Sequence, residues 1–267
     1  MRRRQKARHV FRPALCTLAA AALLAGLATA PTAAEQTQSG TLISSLDGEL
    51  RPLALPRDHL APVAVHLEGR LRTADGSLLP RVTRLEIGLP GQGVLSTRGL
   101  PACPPWRLRN TRSGEALAAC GSALVGRGGL EAVVALPGQA PIAVHARLLA
   151  FNARIGKRRA VLLYAGAANP PTASVLPLLV RRESGRFGMA LAGRIAPALG
   201  PWPRFERFQI TLFRRYAYRG VRRSYLSASC PIPQGLTAGF FSFARASYGL
   251  AGGGRIATAT ARSCRAR

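Results

Sequence analysis

From about residue 62 onward the chain is a succession of short apolar or β-branched runs, each cut by glycine, proline or charged residues. Val63, Val65 and Leu67 would face one side of a strand, and residues 85–89 repeat the same alternation. Such runs at regular intervals are typical of strands joined by turns. The pattern predicts a mainly β protein, built as an antiparallel β-sandwich or a partly closed barrel. Further strands are expected at residues 130–136, 141–152, 160–165, 174–181, 187–195, 205–215, 224–228, 240–246 and 255–262.

One segment departs from this pattern. Residues 113–125 are rich in alanine and leucine, and they begin with Ser113 as a candidate N-cap and Glu115 as an acid in the first turn. These features favour one short helix, with a compact loop as the alternative.

The first 34 residues have the layout of a bacterial signal peptide. A basic head precedes an apolar run over residues 13–30, and Thr32, Ala33 and Ala34 supply small residues before Glu35. The protein is therefore expected to be secreted or associated with the cell envelope, outside the cytoplasm. An uncleaved N-terminal anchor is the alternative, because the apolar run has 18 residues.

Four cysteines follow the leader, since Cys16 lies inside it. An even number of cysteines outside the cytoplasm indicates two disulfide bonds, and four cysteines allow three pairings. The preferred pairing joins Cys103 to Cys120 and Cys230 to Cys264. A zinc site is the weaker alternative, because the spacings are wide and no C-x-x-C pair is present.

The predicted domain organisation rests on composition and on a sequence pattern that occurs twice. Residues 35–51 are expected to form a polar, irregular lead-in, and residues 52–267 a single β-rich domain. Within this domain the pattern R-x-x-R-[LF]-x-I-x-L occurs at residues 81–89 and again at 204–212, and a Cys-Pro pair follows each copy. The chain is therefore interpreted as two related halves, about 62–131 and 186–264, with coincidence in a biased composition as the alternative.

Charge is unevenly distributed along the chain. Of the 38 basic residues six lie in the leader, which leaves 32 against 11 acids and a net charge of +21. After Glu131 there are 21 basic residues and only Glu183 and Glu206 as acids. Arginine in place of lysine reflects a G+C-rich genome, but the scarcity of acids does not. A cationic C-terminal half favours an anionic partner, such as a cell-wall polymer, an acidic lipid or a nucleic acid.

The strongest local candidate for such a contact is residues 213–225, in which arginines alternate with tyrosines around Gly220. Guanidinium groups suit phosphate and carboxylate oxygens, and tyrosine rings stack on bases or sugars. A β-ribbon whose tyrosines cover the core edge is the structural alternative. The predicted anion-binding residues are Arg214, Arg215, Arg219, Arg222, Arg223, Tyr216, Tyr218 and Tyr225.

Catalytic motifs are weak. His66 and His145 each follow Ala-Val on a predicted strand, and with Glu68 they would make a partial metal site, but isolated strand histidines are usually surface residues. The sequence contains no nucleophile elbow, P-loop or dinucleotide-binding motif, so no catalytic residue, metal or cofactor is assigned.

The sequence therefore predicts a non-enzymatic binding or structural protein whose C-terminal half contacts anionic polymers or lipids. Two alternatives remain open. One is an exported hydrolase that uses a strand histidine, and the other is a barrel-like carrier of a hydrophobic ligand.

Overall fold

The computed structural model describes residues 34–196 and 200–267. The predicted signal peptide and Cys16 lie outside these residues. Within them, no helix is both long enough and apolar enough to cross a membrane.

Strands make up most of the described chain. The first ten strands are β1 (Glu35–Ser39), β2 (Leu42–Arg51), β3 (Ala54–Leu55), β4 (Ala61–Pro62), β5 (Ala64–Thr73), β6 (Val82–Pro90), β7 (Gly93–Leu95), β8 (Leu124–Val134), β9 (Ile142–Ile155) and β10 (Arg158–Ala167). The remaining strands are β11 (Thr172–Arg182), β12 (Phe187–Arg194), β13 (Pro203–Leu212), β14 (Arg215–Tyr218), β15 (Val221–Ser224), β16 (Leu226–Ala228), β17 (Ala238–Leu250) and β18 (Arg255–Ala266).

Thirteen of these strands form one large sheet, in the order β1-β2-β5-β13-β8-β9-β10-β11-β12-β6-β17-β18-β3. Neighbouring strands are antiparallel except for β18 and β3. Two small sheets, β14-β15 and β4-β16-β7, accompany it. The prediction of a mainly β, antiparallel fold is confirmed.

The large sheet curls until its two ends meet. Side chains join them: Thr258 Oγ1 on β18 donates to the Ser44 carbonyl (3.1 Å), and Arg262 Nε donates to the Gly48 carbonyl (2.5 Å). The Ala261 amide also donates to the Glu35 carboxylate (2.8 Å). The result is a partly closed barrel whose seam is held by side chains.

The segment predicted as an irregular lead-in is instead ordered as β1 and β2. Its alternation is masked in the sequence, because the inward positions of β2 include Ser44 and Gly48 between leucines. The small residue at position 48 has a packing reason, since the ring of Phe243 occupies the space that a side chain there would need.

The predicted helix is present but short. Helix α1 spans Ser113–Cys120 and is followed by a 3₁₀ turn over Gly121–Ala123. The helix does not reach residue 125, because β8 already begins at Leu124. The N-cap is Arg112, not Ser113, and the Glu115 carboxylate accepts a hydrogen bond from the Arg112 amide (2.7 Å). Another 3₁₀ turn spans Pro105–Leu108.

Both predicted cysteine pairs are within disulfide distance. The Cα atoms of Cys103 and Cys120 are 5.5 Å apart, and those of Cys230 and Cys264 are 5.9 Å apart. The first pair joins α1 to Cys103, whose amide donates to the Asn152 carbonyl on β9 (2.8 Å). Both cysteines belong to a small apolar cluster with Leu149, Phe151, Leu162 and Tyr164 on the outer face of β9 and β10. Two disulfides are compatible with a protein outside the cytoplasm.

Candidate functional site

An apolar cavity of about 190 Å³ lies inside the curled sheet. Eight strands of the sheet, β5, β6 and β8–β13, contribute its wall, together with Ile195 directly after β12. Ser174 is the only lining residue with a polar side chain. The lining residues are Leu67, Val82, Leu85, Ile87, Leu89, Leu130, Ala132, Leu148, Val161, Leu163, Ala165, Ser174, Leu176, Leu178, Leu191, Ile195, Pro203, Phe205, Phe208, Ile210 and Leu212.

Strand alternation explains how the wall is built. On β10, Val161, Leu163 and Ala165 point into the cavity, whereas Leu162 and Tyr164 point outward into the cluster beneath α1. The sheet is therefore apolar on both faces at this position, one face covered by the helix and the other facing the cavity.

The cavity opens toward one end of the barrel. Val161 and Leu178 are each only 1% exposed, while Ala165, Ser174 and Pro203 are partly exposed and Ile195 is 37% exposed. This gradient places the mouth where β10 ends and β11 begins, beside the start of β13.

The chemistry of this space favours hydrocarbon over water. A buried water needs two to four polar partners, and an apolar cavity of roughly this size stays dry and accepts apolar molecules. Phe205 and Phe208 form an aromatic part of the cavity wall, and the ring of Phe205 stacks on that of Tyr248 with centroids 5.7 Å apart.

The arginine- and tyrosine-rich segment forms a hairpin of β14 and β15. Arg219 and Gly220 make its two-residue turn with positive φ values of 52° and 74°, the turn that matches strand twist. The hairpin follows β13, whose first residue Pro203 lies at the cavity mouth. Because β13 has ten residues, the hairpin begins about 30 Å from that mouth, a length estimated from the rise per strand residue.

The predicted anion-binding residues divide into two groups. Arg215, Arg219 and Arg222 are exposed, and Arg214 and Arg223 are partly buried. By contrast, Tyr225 has no exposed surface and belongs to the main core. The first five residues share the hairpin surface, whereas Tyr225 is placed away from it.

The two remaining tyrosines anchor the hairpin. Tyr216 Oη donates to the Arg98 carbonyl (2.9 Å), and the Tyr218 ring packs on Gly99, where any side chain would collide with it. The guanidinium carbons of Arg219 and Arg223 lie 5.4 and 5.9 Å from the centre of the Tyr218 ring. Tyr216 and Tyr218 therefore hold the hairpin against residues 98–99, and the Tyr218 ring also contacts two of its arginines.

The histidines do not meet. His66 lies on β5 and His145 on β9, three strands apart in the sheet, or about 14 Å at the usual strand spacing. Glu68 is engaged by Arg207, whose Nε and Nη2 atoms donate to its two oxygens at 2.8 and 2.9 Å. The hydrogen bond with Glu68 raises the pKa of Arg207. Within the described residues no group of three candidate metal ligands occurs.

His66 does have a hydroxyl partner, since its Nδ1 lies 3.0 Å from Thr211 Oγ1 in a surface depression that also contains Glu49. However, Glu49 binds Arg51 (2.6 Å), and β5 is hydrogen-bonded to β2 on one side and to β13 on the other. Backbone amides of β5 are thus engaged and do not supply an oxyanion hole. The hydrolase alternative therefore stays a prediction.

Most acids are already neutralised. Six of the 11 acids form ion pairs with arginines, among them Glu86 and Glu183 with Arg245 at 3.1 and 2.5 Å. Most arginines of the C-terminal half therefore remain available to an external anion.

Comparison with known proteins adds no identity: no family model, no curated protein and no solved structure matches this chain.

Proposed function

We propose that this protein is an exported, non-enzymatic carrier that holds the hydrocarbon part of an amphipathic lipid in the cavity of its curled sheet. The observation that carries the proposal is the almost wholly apolar wall with a mouth at one end. Burial of hydrocarbon gives roughly 0.8 kcal/mol per CH₂ group, so even part of one acyl chain would bind measurably.

Export is part of the same proposal. It is supported by the leader pattern of residues 1–34 and by the two cysteine pairs at disulfide distance. A lipid that crosses an aqueous compartment needs an apolar enclosure, which is what the cavity offers.

A binding assay with a fluorescent fatty-acid analogue tests the carrier function. Ala165→Trp would fill the partly exposed mouth, and we expect it to weaken binding at least tenfold. Ala143→Trp is the matched control, because Ala143 is exposed on the outer face of β9 and does not line the cavity. Thermal unfolding checks that both variants fold. Absence of binding, or equal binding by the two variants, would contradict the proposal.

A second candidate function rests on the β14-β15 hairpin, which we propose as a contact for an anionic lipid surface. Its arginines have no acid within the hairpin, since Glu206 is the last acid of the chain. Phe213 and Val221, 52% and 53% exposed, add apolar side chains next to these charges. Arginines beside exposed apolar residues suit the interface of an acidic membrane.

Vesicle sedimentation tests this contact. Binding to phosphatidylglycerol vesicles is expected to fall with rising salt and to weaken about tenfold or more in Arg219→Gln/Arg222→Gln, at roughly 1 kcal/mol per arginine. Arg107→Gln/Arg186→Gln removes the same charge from exposed positions elsewhere and serves as the control. Binding insensitive to salt would overturn the contact, and preference for a wall polymer or single-stranded nucleic acid would overturn its assignment to lipid.

A further inference from the structure

A second concavity, of about 510 Å³, lies on the convex face of the sheet over β6, β11 and β12. Its floor adjoins the cluster beneath α1, because Ile155 and Leu179 contribute to both. This groove is lined by Arg84, Ile155, Pro177, Leu179, Arg181, Ala192, Gly193 and Arg194, and it contains no acid.

The arginines of the groove lie close enough to repel one another in the folded protein. Arg84 on β6 and Arg194 on β12 are direct partners in the antiparallel register. Like charges that face each other across strands destabilise a sheet. Arg181 on the next strand, β11, adds a third guanidinium to the same groove.

Among the described residues, a single carboxylate, that of Glu86, is ion-paired with one of the three groove arginines. The nearest acid, Glu86, lies 3.6 Å from Arg84, but it also binds Arg245 at 3.1 Å and Arg255 at 3.6 Å. Arg181 and Arg194 form no ion pair within residues 34–196 and 200–267. Both side chains are exposed and are free to turn toward a ligand.

The rest of the groove is apolar. Pro177, Leu179 and Ile155 are partly buried and lie between the arginines. Gly193 contributes only backbone to the floor, because a Cβ atom there would point toward Leu176 and Leu178 on the cavity face of the sheet and would collide with the Pro177 carbonyl oxygen. A ligand for this surface must therefore combine a compact anion with an adjoining hydrocarbon.

We propose that this groove binds the phosphoryl group of an amphiphile, with the three guanidinium groups on its oxygens and the neighbouring hydrocarbon on Pro177, Leu179 and Ile155. Arginine is suited to this role because its planar fork donates two parallel hydrogen bonds to phosphate oxygens. The site lies on the opposite face of the sheet from the cavity, so evidence against the carrier function would not be evidence against this site.

Calorimetry with three probes tests the site: dihexanoyl phosphatidic acid below its micelle concentration, dihexanoyl phosphatidylcholine and inorganic phosphate. The protein carries Ala165→Trp, so that the cavity does not contribute. We expect phosphatidic acid to bind at least tenfold more tightly than either of the others. Arg181→Gln/Arg194→Gln should weaken that binding at least tenfold and reduce its dependence on salt.

Arg182→Gln is the matched control, because Arg182 follows Arg181 on β11 and faces the other side of the sheet. Equal loss in this control would overturn the groove as the site. If inorganic phosphate bound as tightly as phosphatidic acid, the assignment of an amphiphile as the ligand would be overturned, and a soluble phosphate compound would be indicated instead. As a second readout, Arg194→Gln without ligand should raise the melting temperature by relieving repulsion, and a fall would contradict the argument from like charges.

Discussion

The hydroxyl groups of two buried tyrosines, Tyr225 and Tyr248, have no hydrogen-bond partner among residues 34–196 and 200–267. A third, Tyr164, is equally buried, but its hydroxyl donates to the Thr111 carbonyl. An unpartnered buried hydroxyl costs free energy, whereas a partnered one contributes about 1 kcal/mol. The same residue type thus has opposite effects on stability at these positions.

Substitution by phenylalanine tests this difference at pH 7. We expect Tyr248→Phe to leave the free energy of unfolding unchanged or to raise it by up to about 1 kcal/mol, and Tyr164→Phe to lower it by about 1 kcal/mol. Urea unfolding measures both. Equal losses in the two variants would show that the Tyr248 hydroxyl has a partner, such as a buried water.

The pH dependence of stability provides a second test at the residue scale. Burial raises the pKa of Tyr248 above its ordinary value of 10.0. In the unfolded chain the phenol loses its proton first. The difference in pKa therefore has no effect on the free energy of unfolding well below pH 10 and lowers that free energy as pH rises above it. The expected slope is up to about 1.4 kcal/mol per pH unit. Tyr248→Phe should make the decline between pH 9.5 and 11 shallower, and an unchanged decline would refute this assignment.

At the scale of single elements, α1 is the least self-sufficient part of the fold. It has only eight residues and buries Ala116 and Cys120 on the convex face of the sheet. A helix this short is marginal in water without tertiary support. The disulfide from Cys120 to Cys103 therefore supplies much of what holds it in place.

Removal of that bond should act on stability and not on ligand binding. For a sequence separation of 17 residues, we expect Cys103→Ala/Cys120→Ala to lower the free energy of unfolding by about 3 kcal/mol in the chain-entropy model. Fatty-acid affinity should stay within twofold, because the helix covers the face opposite the cavity. Denaturant unfolding and the fluorescence assay measure the two effects, and a large loss of affinity would show that α1 shapes the cavity.

The sequence predicted a strand only where its apolar residues follow a recognisable pattern. The continuous apolar run of residues 160–165 indicated β10 to within two residues of its observed bounds, and the alternation of Val63, Val65 and Leu67 indicated the position of β5. β2 was missed, because Ser44 and Gly48 occupy two of its inward positions. Both small residues fit closely packed neighbours that are distant in sequence, which no local pattern reveals.

The cavity was beyond prediction for a related reason. Leu163 and Leu176 look like ordinary core residues in the sequence, and whether such side chains meet or leave a space depends on the curvature of the sheet. The groove was missed as well, because Arg84 and Arg194 are 110 positions apart and become neighbours only through the pairing of β6 with β12. The hairpin, whose residues are contiguous, was the one candidate surface that local sequence could indicate.

At the scale of the whole molecule, the two chain halves exchange strands. β6 comes from the N-terminal half but lies between β12 and β17, and β13 comes from the C-terminal half but lies between β5 and β8. These are the strands that carry the repeated sequence pattern. In the strand order, β13 lies at the centre of β2-β5-β13-β8-β9 and β6 at the centre of β11-β12-β6-β17-β18. The internal repeat itself stays a prediction.

This exchange makes a division of the chain informative. A cut in the exposed turn between β10 and β11 would give fragments 35–169 and 170–267, each with its own cysteine pair. Each fragment alone would lack the strand at the centre of its half-sheet and would expose unpaired backbone edges. We therefore expect neither to fold alone and the oxidised pair, when mixed, to regain a β-type circular dichroism spectrum and a cooperative melt. If one fragment folded by itself, that half of the chain would be an autonomous unit. The barrel interior and its cavity would then not depend on the exchange of β6 and β13 between the halves.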